Sequence, residues 1–195
     1  MNTQSPSQSD LTVLLEHYQN VRYENAYSLA IALTEQYPNH PLAWKVLGAV
    51  LMAAGNIQGA LFANETASRL DPQDAIALYN LSNTLKELGR LDDAEAGFRN
   101  SILLKPDFAE AYLNLGVLLQ ESRRFIDAEA SYRKAIAANS SYAQLHNNLG
   151  NVLRELGRFE DAEVSYKNAI TLHPEYVEAH SNLGIALQRL SLIHI

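Results

Sequence analysis

Residues 143–176 decide the fold: AQLHNNLGNVLRELGRFEDAEVSYKNAITLHPEY. In the second half of this stretch, Ala162, Tyr166 and Ala169 fall on one apolar stripe of a helix. Gly157 separates this helix from an earlier helical segment, because glycine readily adopts the positive φ that ends a helix. Pro174 closes the second helix, since the residue before a proline leaves the α region. The stretch therefore predicts two helices joined by a tight turn and followed by a loop.

The same pattern recurs every 34 residues along the chain. A small residue marks each period, with a leucine one position before it and another three positions after it. The small residues are Gly48, Ser82, Gly116, Gly150 and Gly184, and an alanine stands twelve positions further on at Ala60, Ala94, Ala128 and Ala162. No segment shows the alternation with period two that is typical of a half-buried strand. The sequence thus predicts an all-α fold of repeated helix pairs.

A single unit of this length cannot support its own fold. Ordering its residues costs on the order of 50 kcal/mol, which is more than the small core of one unit offsets. Stability must come from stacking on neighbouring units, as in a solenoid. Glycine inside a helix costs ~1 kcal/mol relative to alanine, so its recurrence at one position needs a reason. We expect the small residue to mark a close crossing of the two helices, with the recurring alanine on the facing side.

The repeated residues resemble a known family. Trp44, Leu47, Gly48, Ala60 and Pro72 nearly reproduce the pattern W-x2-L-G-x2-Y…A-x3-F…P of the tetratricopeptide repeat (TPR). The resemblance implies a right-handed α-solenoid of stacked antiparallel helix pairs, each made of a first helix A and a second helix B. The full units are 41–74, 75–108, 109–142 and 143–176, with a divergent unit at 7–40 and a partial unit at 177–190.

Two short segments fall outside the repeat pattern. Residues 1–9 are polar, and we expect them to form a disordered tail before an array that spans residues 10–190. Residues 191–195, SLIHI, match no second helix, and their isoleucines are unusual at an array end, where a polar capping face is expected. We interpret this segment as an atypical tail at the end of a truncated chain.

The composition argues against several classes of function. The net charge of −7 disfavours binding to phosphate backbones, and the chain has no cysteine for disulfides, cysteine–zinc sites or thiol nucleophiles. The N-terminal residues lack the features of a signal peptide, and no apolar run approaches the ~20 residues of a membrane span. We therefore expect a cytoplasmic protein whose partner is a protein or peptide, not a nucleic acid or a membrane.

No catalytic motif or cofactor site emerges from the sequence. It contains no phosphate-binding loop, zinc-protease motif or nucleophile elbow. His146 and His180 occupy the register of Trp44, which indicates half-buried packing residues. Equivalent side chains in stacked units lie about 8–10 Å apart, too far to share one zinc ion. We expect no enzyme activity, no cofactor and no metal in this chain.

Asparagines form a row at one register of the A helices. Asn80, Asn114, Asn148 and Asn182 stand two residues before the small position, and Asn83, Asn147 and Asn151 lie nearby. Asparagine is a mediocre helix former, so helix propensity does not explain this register. Its carboxamide offers donors and acceptors suited to the backbone amides of an extended peptide. These seven residues are the candidate peptide-binding groove; the alternative is solvated residues retained by repeat duplication.

In the TPR family this register of helix A lines the concave groove, and the row resembles the asparagine ladder of protein O-linked N-acetylglucosamine (O-GlcNAc) transferases. Val46 interrupts the row in the second unit. Of the family's clamp for C-terminal carboxylates, Lys45 matches one position, but Ala49, Glu110 and Asn114 stand at others. We infer a non-catalytic scaffold for protein binding. The alternative is the substrate-recruiting N-terminal region of a larger glycosyltransferase of the O-GlcNAc transferase type.

Overall fold

The computed structural model describes residues 5–193, and the regular structure in this range is entirely α-helical. The helices are α1 (Gln8–Gln19), α2 (Tyr23–Gln36), α3 (Pro41–Ala53), α4 (Ile57–Leu70), α5 (Ala75–Glu87), α6 (Leu91–Leu104), α7 (Ala109–Glu121), α8 (Phe125–Ala138), α9 (Ala143–Glu155), α10 (Phe159–Leu172) and α11 (Val177–Ile193). No strand occurs among the described residues. The predicted all-α fold is therefore confirmed.

The chain divides into two compact units. Unit 1 ends at Leu104 and contains α1 to α6, whereas unit 2 begins at Lys105 and contains α7 to α11. The boundary falls inside the predicted repeat 75–108, directly after its second helix. Each unit therefore contains complete helix pairs, and unit 2 ends with the single helix α11.

Within each unit the helices pack as antiparallel pairs that stack in chain order. The A helices are α1, α3, α5, α7, α9 and α11, and the B helices are α2, α4, α6, α8 and α10. Each B helix packs on its own A helix and, within a unit, on the A helix that follows. Neighbouring A helices of a unit also touch. Each unit thus has one surface made of A helices, which we call its A-helix face.

The turn from helix A to helix B contains one residue with positive φ. Gly55, Gly89 and Gly157 hold this position with φ of 74°, 73° and 74°, a conformation that glycine adopts without steric cost. Val21 and Arg123 adopt it as well, with φ of 59° and 58°, although a side chain is disfavoured there. The predicted turns are therefore present, and two of them form without glycine.

The small residue of helix A marks a close crossing in unit 2, as predicted, and the atoms nearest to it belong to a tyrosine ring of helix B. A Cβ added to Gly116 would lie 2.6 Å from the ring of Tyr132, and one added to Gly150 would lie 2.5 Å from the ring of Tyr166. Each tyrosine stands sixteen residues after its glycine and four after the alanine. The sequence analysis did not anticipate this ring, which lies one helical turn after the fully buried alanine and reaches into the crossing.

Unit 1 forms the same crossings with other side chains. In the pair α3–α4, the fully buried Asn64 faces Gly48, and its carboxamide would clash with an added Cβ. Asn64 Nδ2 donates a hydrogen bond to Thr84 Oγ1 of α5 at 2.9 Å. In the pair α5–α6 the small residue is Ser82, and Gly97 of the B helix makes room for its hydroxyl. In these two crossings as well, a glycine on one helix leaves the space that a side chain of the other helix takes.

The first helix begins earlier than the sequence predicted. Helix α1 starts at Gln8, so the last two residues of the predicted tail 1–9 are helical. Ser7 caps this helix, because its Oγ accepts a hydrogen bond from the Asp10 N–H at 3.1 Å. Residues 1–4 of the predicted tail lie outside the described residues.

The last helix runs further than the sequence predicted. Helix α11 continues to Ile193, past the predicted array end at Leu190. Ser191 stands at the register where the other A helices are followed by a residue of positive φ, and its Oγ donates to Gln188 O at 2.8 Å. Residues 191–193, predicted as an atypical tail, are therefore helical, since no residue of positive φ interrupts the helix at this register. His194 and Ile195 lie outside the described residues.

Alanine substitutions at two glycines of the same register should have opposite effects on stability. Gly150→Ala should lower the free energy of unfolding by about 1–3 kcal/mol, because the added Cβ overpacks against Tyr166. At Gly184 an added Cβ would meet no described atom within 4 Å. Gly184→Ala should therefore raise the free energy of unfolding by up to ~1 kcal/mol, since alanine is the better helix former. Urea denaturation measures both effects, and equal midpoints would refute the steric role of the glycine.

Candidate functional site

The predicted asparagines are divided between the A-helix faces of the two units. Asn80 and Asn83 lie on α5 in unit 1, and Asn114, Asn147, Asn148, Asn151 and Asn182 lie on α7, α9 and α11 in unit 2. Because α7, α9 and α11 touch in succession, the residues at positions 114, 148 and 182 place one carboxamide on each helix. We call these three the unit 2 row, and all three are half-buried.

Asn148 is bonded to the helix pair that precedes it. Its carboxamide donates a hydrogen bond to the hydroxyl of Tyr132, which in turn donates to Gln120 Oε1 at 2.9 Å. Burial raises the pKa of Tyr132 well above its ordinary value, and the bond from Asn148 only partly opposes this shift. The hydroxyl therefore stays neutral and joins side chains of α7, α8 and α9.

Asn147 is not part of an open groove, contrary to the prediction. Its side chain is 3% exposed. Its Oδ1 accepts a hydrogen bond from Asn182 Nδ2 at 3.1 Å, and its carboxamide donates to the hydroxyl of Tyr176 in the loop before α11. The assignment of Asn147 to the groove is wrong, because both ends of its carboxamide are engaged inside the protein.

Asn151 supports its own helix pair. The hydroxyl of Tyr166 donates to Asn151 Oδ1 at 2.8 Å. Burial raises the pKa of Tyr166 to about 12, so this hydroxyl is also a neutral donor at physiological pH. Tyr132 and Tyr166 share one register of helix B, and each donates its hydroxyl hydrogen to a carboxamide of helix A. These carboxamides therefore have a structural role.

Two members of the unit 2 row, Asn148 and Asn182, retain hydrogen-bonding capacity. A carboxamide has two donors and an oxygen that accepts two hydrogen bonds. Asn148 and Asn182 each use one N–H inside the protein. Among the described residues, neither Oδ1 accepts a hydrogen bond, and both side chains remain partly exposed. Each can therefore offer an acceptor and a second donor to a bound partner.

Asn80 differs from the asparagines of unit 2. Its backbone carbonyl accepts a hydrogen bond from Thr84 Oγ1 at 2.9 Å, but its carboxamide makes none to another described residue. The reason lies sixteen residues earlier, where Asn64 occupies the register that Tyr132 holds with respect to Asn148. At that register there is therefore no phenolic hydroxyl that could accept a hydrogen bond from the Asn80 carboxamide. Asn83 is half-buried on the same helix.

Unit 1 also has tyrosines on its A helices that the sequence analysis missed. Tyr18 of α1 and Tyr79 of α5 lie near enough for Tyr79 to raise the pKa of Tyr18, although burial is the larger cause of that shift. The rings of Tyr18 and Tyr23 are 6.2 Å apart between centroids. The 34-residue period could not reveal this group, because Tyr18 and Tyr79 occupy different registers. Phenol groups are thus part of the candidate site in unit 1.

Lys45, which matched one position of the carboxylate clamp, already has a partner. Its Nζ donates to Asp74 Oδ2 at 2.5 Å. Asp74 also caps α5, because its Oδ1 accepts hydrogen bonds from the N–H groups of Ile76 and Ala77. Burial acts to raise the pKa of Asp74, but Lys45 and the two N–H groups together outweigh it and hold the pKa below its ordinary value. Lys45 therefore joins α3 to the start of α5.

The two histidines at the register of Trp44 differ in their exposure and contacts. Trp44 Nε1 donates to Pro38 O at 2.8 Å, and His180 Nε2 makes the equivalent bond to Pro174 O at 2.8 Å. His180 is exposed, whereas His146 is half-buried as expected. Within residues 5–193, no three His, Asp or Glu side chains form a group that could hold a metal ion.

None of the helices in the described part of the chain is both long and apolar enough to cross a membrane.

The chain belongs to the tetratricopeptide repeat family. A family model of this repeat matches residues 15–75 and 113–166, which together exceed half of the chain. Two further models of the same repeat match residues 51–116 and 150–191. The resemblance to TPR proteins is therefore confirmed. A comparison with curated proteins finds no match, and the resemblance of the asparagines to O-GlcNAc transferases gains no support.

Several solved structures share the fold. MamA is 19% identical, with a TM-score of 0.73 over 82% of this chain and 94% of its own. A thermophilic TPR protein of Thermus thermophilus is 21% identical, with a TM-score of 0.70 over 93% of this chain and 98% of its own. YrrB, described as a TPR protein with an unusual peptide-binding site, is 17% identical, with a TM-score of 0.72 over 90% of this chain and 91% of its own. At these identities the likeness shows the fold alone.

Two asparagines of the same register should differ in their effect on stability. Asn148→Ala should lower the free energy of unfolding by about 0.5–1 kcal/mol, because it removes the donor to the buried Tyr132 hydroxyl. Asn80→Ala should leave it unchanged or raise it by ~0.5 kcal/mol, since only helix propensity changes. Thermal denaturation measures both. In a Tyr132→Phe background the penalty of Asn148→Ala should vanish; an unchanged penalty there would contradict the assigned bond.

Proposed function

We propose that this chain is a non-catalytic protein-interaction module in which the A-helix face of unit 2 binds an extended segment of a partner protein. The observation that carries the proposal is the unit 2 row, in which Asn114, Asn148 and Asn182 lie at one register on three successive A helices. Membership of the TPR family supports an interaction role at a coarser level. The similar fold of YrrB, described as having a peptide-binding site, agrees with it.

The chemistry of the row suits a peptide main chain. An extended peptide presents N–H and C=O groups in alternation, and a carboxamide can pair with either kind. Asn148 and Asn182 each keep an oxygen and one N–H available for such bonds. Recognition through the main chain depends little on the partner's side chains. We therefore expect the row to contribute affinity, while neighbouring side chains select the sequence.

The fold orients the row before any partner binds. Asn148 is held by Tyr132, and Asn182 is held by the buried Asn147. Side chains that are fixed in advance lose less conformational entropy when a partner binds, which increases affinity. Asn147 and Asn151 thus act as supports for the site and not as peptide contacts.

Unit 1 contributes a chemically different surface. Its A-helix face has the phenol groups of Tyr18 and Tyr79 and the unbonded carboxamide of Asn80. Tyrosines offer a large apolar contact and a polar tip at low entropic cost, which favours their use at binding sites. We expect this face to contact side chains of the partner, in contrast to the amide-rich face of unit 2.

Peptide selection followed by calorimetry tests the proposal. A phage-displayed library of random peptides is selected on the full chain, and the affinities of the recovered peptides are measured by isothermal titration calorimetry. The triple variant Asn114→Ala/Asn148→Ala/Asn182→Ala should bind these peptides at least about tenfold more weakly, because each lost amide contact contributes ~0.5–1.5 kcal/mol. Circular dichroism establishes that the variant is folded at the assay temperature.

A matched control uses asparagines of the B helices. Asn100 of α6 and Asn168 of α10 are exposed and lie off the A-helix faces. Their substitution by alanine should leave the peptide affinities unchanged. The proposal fails if the folded triple variant binds as tightly as the wild type, if the control weakens binding equally, or if the wild type selects no peptide.

A further inference from the structure

Glu110 is a carboxylate on the A-helix face of unit 2 that forms no ion pair with a described residue. It stands in the first turn of α7, one helical turn before Asn114 of the unit 2 row. Its side chain is half-buried, and its Oε1 accepts a hydrogen bond from the Tyr142 hydroxyl at 3.1 Å. An ionised carboxylate can accept about four hydrogen bonds, so most of this capacity is unused within the described residues.

The surrounding part of the A-helix face contributes no positive charge. The N-terminal halves of α7 and α9, residues 109–115 and 143–149, contain no lysine or arginine. By contrast, four carboxylates of the B helices α8 and α10 are ion-paired with arginine or lysine. They are Asp127, Glu129, Asp161 and Glu163. Unit 2 thus neutralises these carboxylates internally but leaves the charge of Glu110 uncompensated among the described residues.

We propose that Glu110 binds a lysine or arginine side chain of the extended segment that lies on the unit 2 row, so that the partner segment is basic. This inference rests on the proposed function and identifies the chemistry of the partner. A segment on the row passes Asn114 and therefore comes within one helical turn, about 5.4 Å, of Glu110. The long side chains of lysine and arginine bridge this separation, and the carboxylate accepts a charge-assisted hydrogen bond from them.

Tyr142 completes the site for the basic side chain. It is the residue before α9, and its side chain is 38% exposed, so that it is accessible beside the carboxylate it bonds. An aromatic ring attracts a cation that lies over its face. Gln144, at the register of Glu110 on α9, is exposed and adds no charge. Because α8 covers α7 and α10 covers α9, complete helix pairs hold both Glu110 and Tyr142.

A carboxylate in the first turn of a helix also stabilises that helix, since negative charge is favourable near the N-terminus. Glu160 provides the matched control for this structural role. Like Glu110 it is the second residue of its helix, and it is exposed on the B helix α10 without an ion pair to a described residue. Glu110→Gln and Glu160→Gln thus remove the same charge from equivalent helix positions. Circular dichroism establishes that both variants are folded.

Parallel peptide selections test the inference. A phage-displayed library of random peptides is selected on the full wild-type chain, on Glu110→Gln and on Glu160→Gln. We expect the wild type and Glu160→Gln to enrich lysine or arginine at one position of the recovered peptides. Glu110→Gln should lose this enrichment. The residue that is enriched distinguishes an ammonium group from a guanidinium group as the preferred ligand.

Isothermal titration calorimetry then measures the contribution of the charge. In the tightest peptide selected by the wild type, the enriched residue is replaced by a neutral analogue of similar length, norleucine for lysine or citrulline for arginine. This change should weaken binding to the wild type by about three- to tenfold, as expected for a partly shielded ion pair with a hydrogen bond. It should leave the affinity for Glu110→Gln unchanged, because the carboxylate is absent there.

Three results would overturn the inference. They are selected peptides without an enriched basic residue, an enrichment that persists on Glu110→Gln, and an equal loss of enrichment on Glu160→Gln. In each of these cases the wild type or a variant still binds peptides, so the proposed function stands while the basic partner is refuted. If the wild type selects no peptide, the proposed function fails and this inference fails with it.

Discussion

In unit 2, both complete helix pairs depend on one contact, in which a tyrosine of helix B fills a site that a glycine of helix A leaves open. The rings of Tyr132 and Tyr166 take the space that a Cβ on Gly116 or Gly150 would need. Because this space is free, the two helices approach closely and the hydroxyl of each tyrosine reaches the side chains of helix A. The packing of the pair therefore also arranges the polar groups of the A-helix face.

This link between packing and surface chemistry makes the two A-helix faces different. In unit 2 the hydroxyls of Tyr132 and Tyr166 bond to Gln120, Asn148 and Asn151, so carboxamides dominate the face. In unit 1, Asn64 replaces the tyrosine and directs its own amide to Thr84. Among the described residues, the carboxamide of Asn80 is consequently left without a hydrogen bond. One repeat pattern thus gives an amide surface in one unit and a phenol-containing surface in the other.

The sequence was sufficient to predict the features that each repeat contains within itself. Helix pairs and turns follow from periodicity and from glycines such as Gly157. The continuation of α11 through Ser191 could not be predicted, because Arg123 turns the chain at the same register without a glycine. The burial of Asn147 could not be predicted, because it depends on Asn182 of the next repeat and on Tyr176 in the loop that leads to that repeat. Contacts between repeats determine which asparagines support the structure and which are available to a partner. The sequence pattern within one repeat does not specify these contacts.

The most direct test of this account is a double-mutant cycle between Gly150 and Tyr166, measured by the free energy of unfolding in urea. The Tyr166→Leu substitution keeps an apolar side chain but removes the ring that faces the glycine. The account predicts that the penalty of Gly150→Ala falls by at least ~1 kcal/mol in the Tyr166→Leu background, because directly contacting residues are energetically coupled. The same penalty in both backgrounds would contradict it.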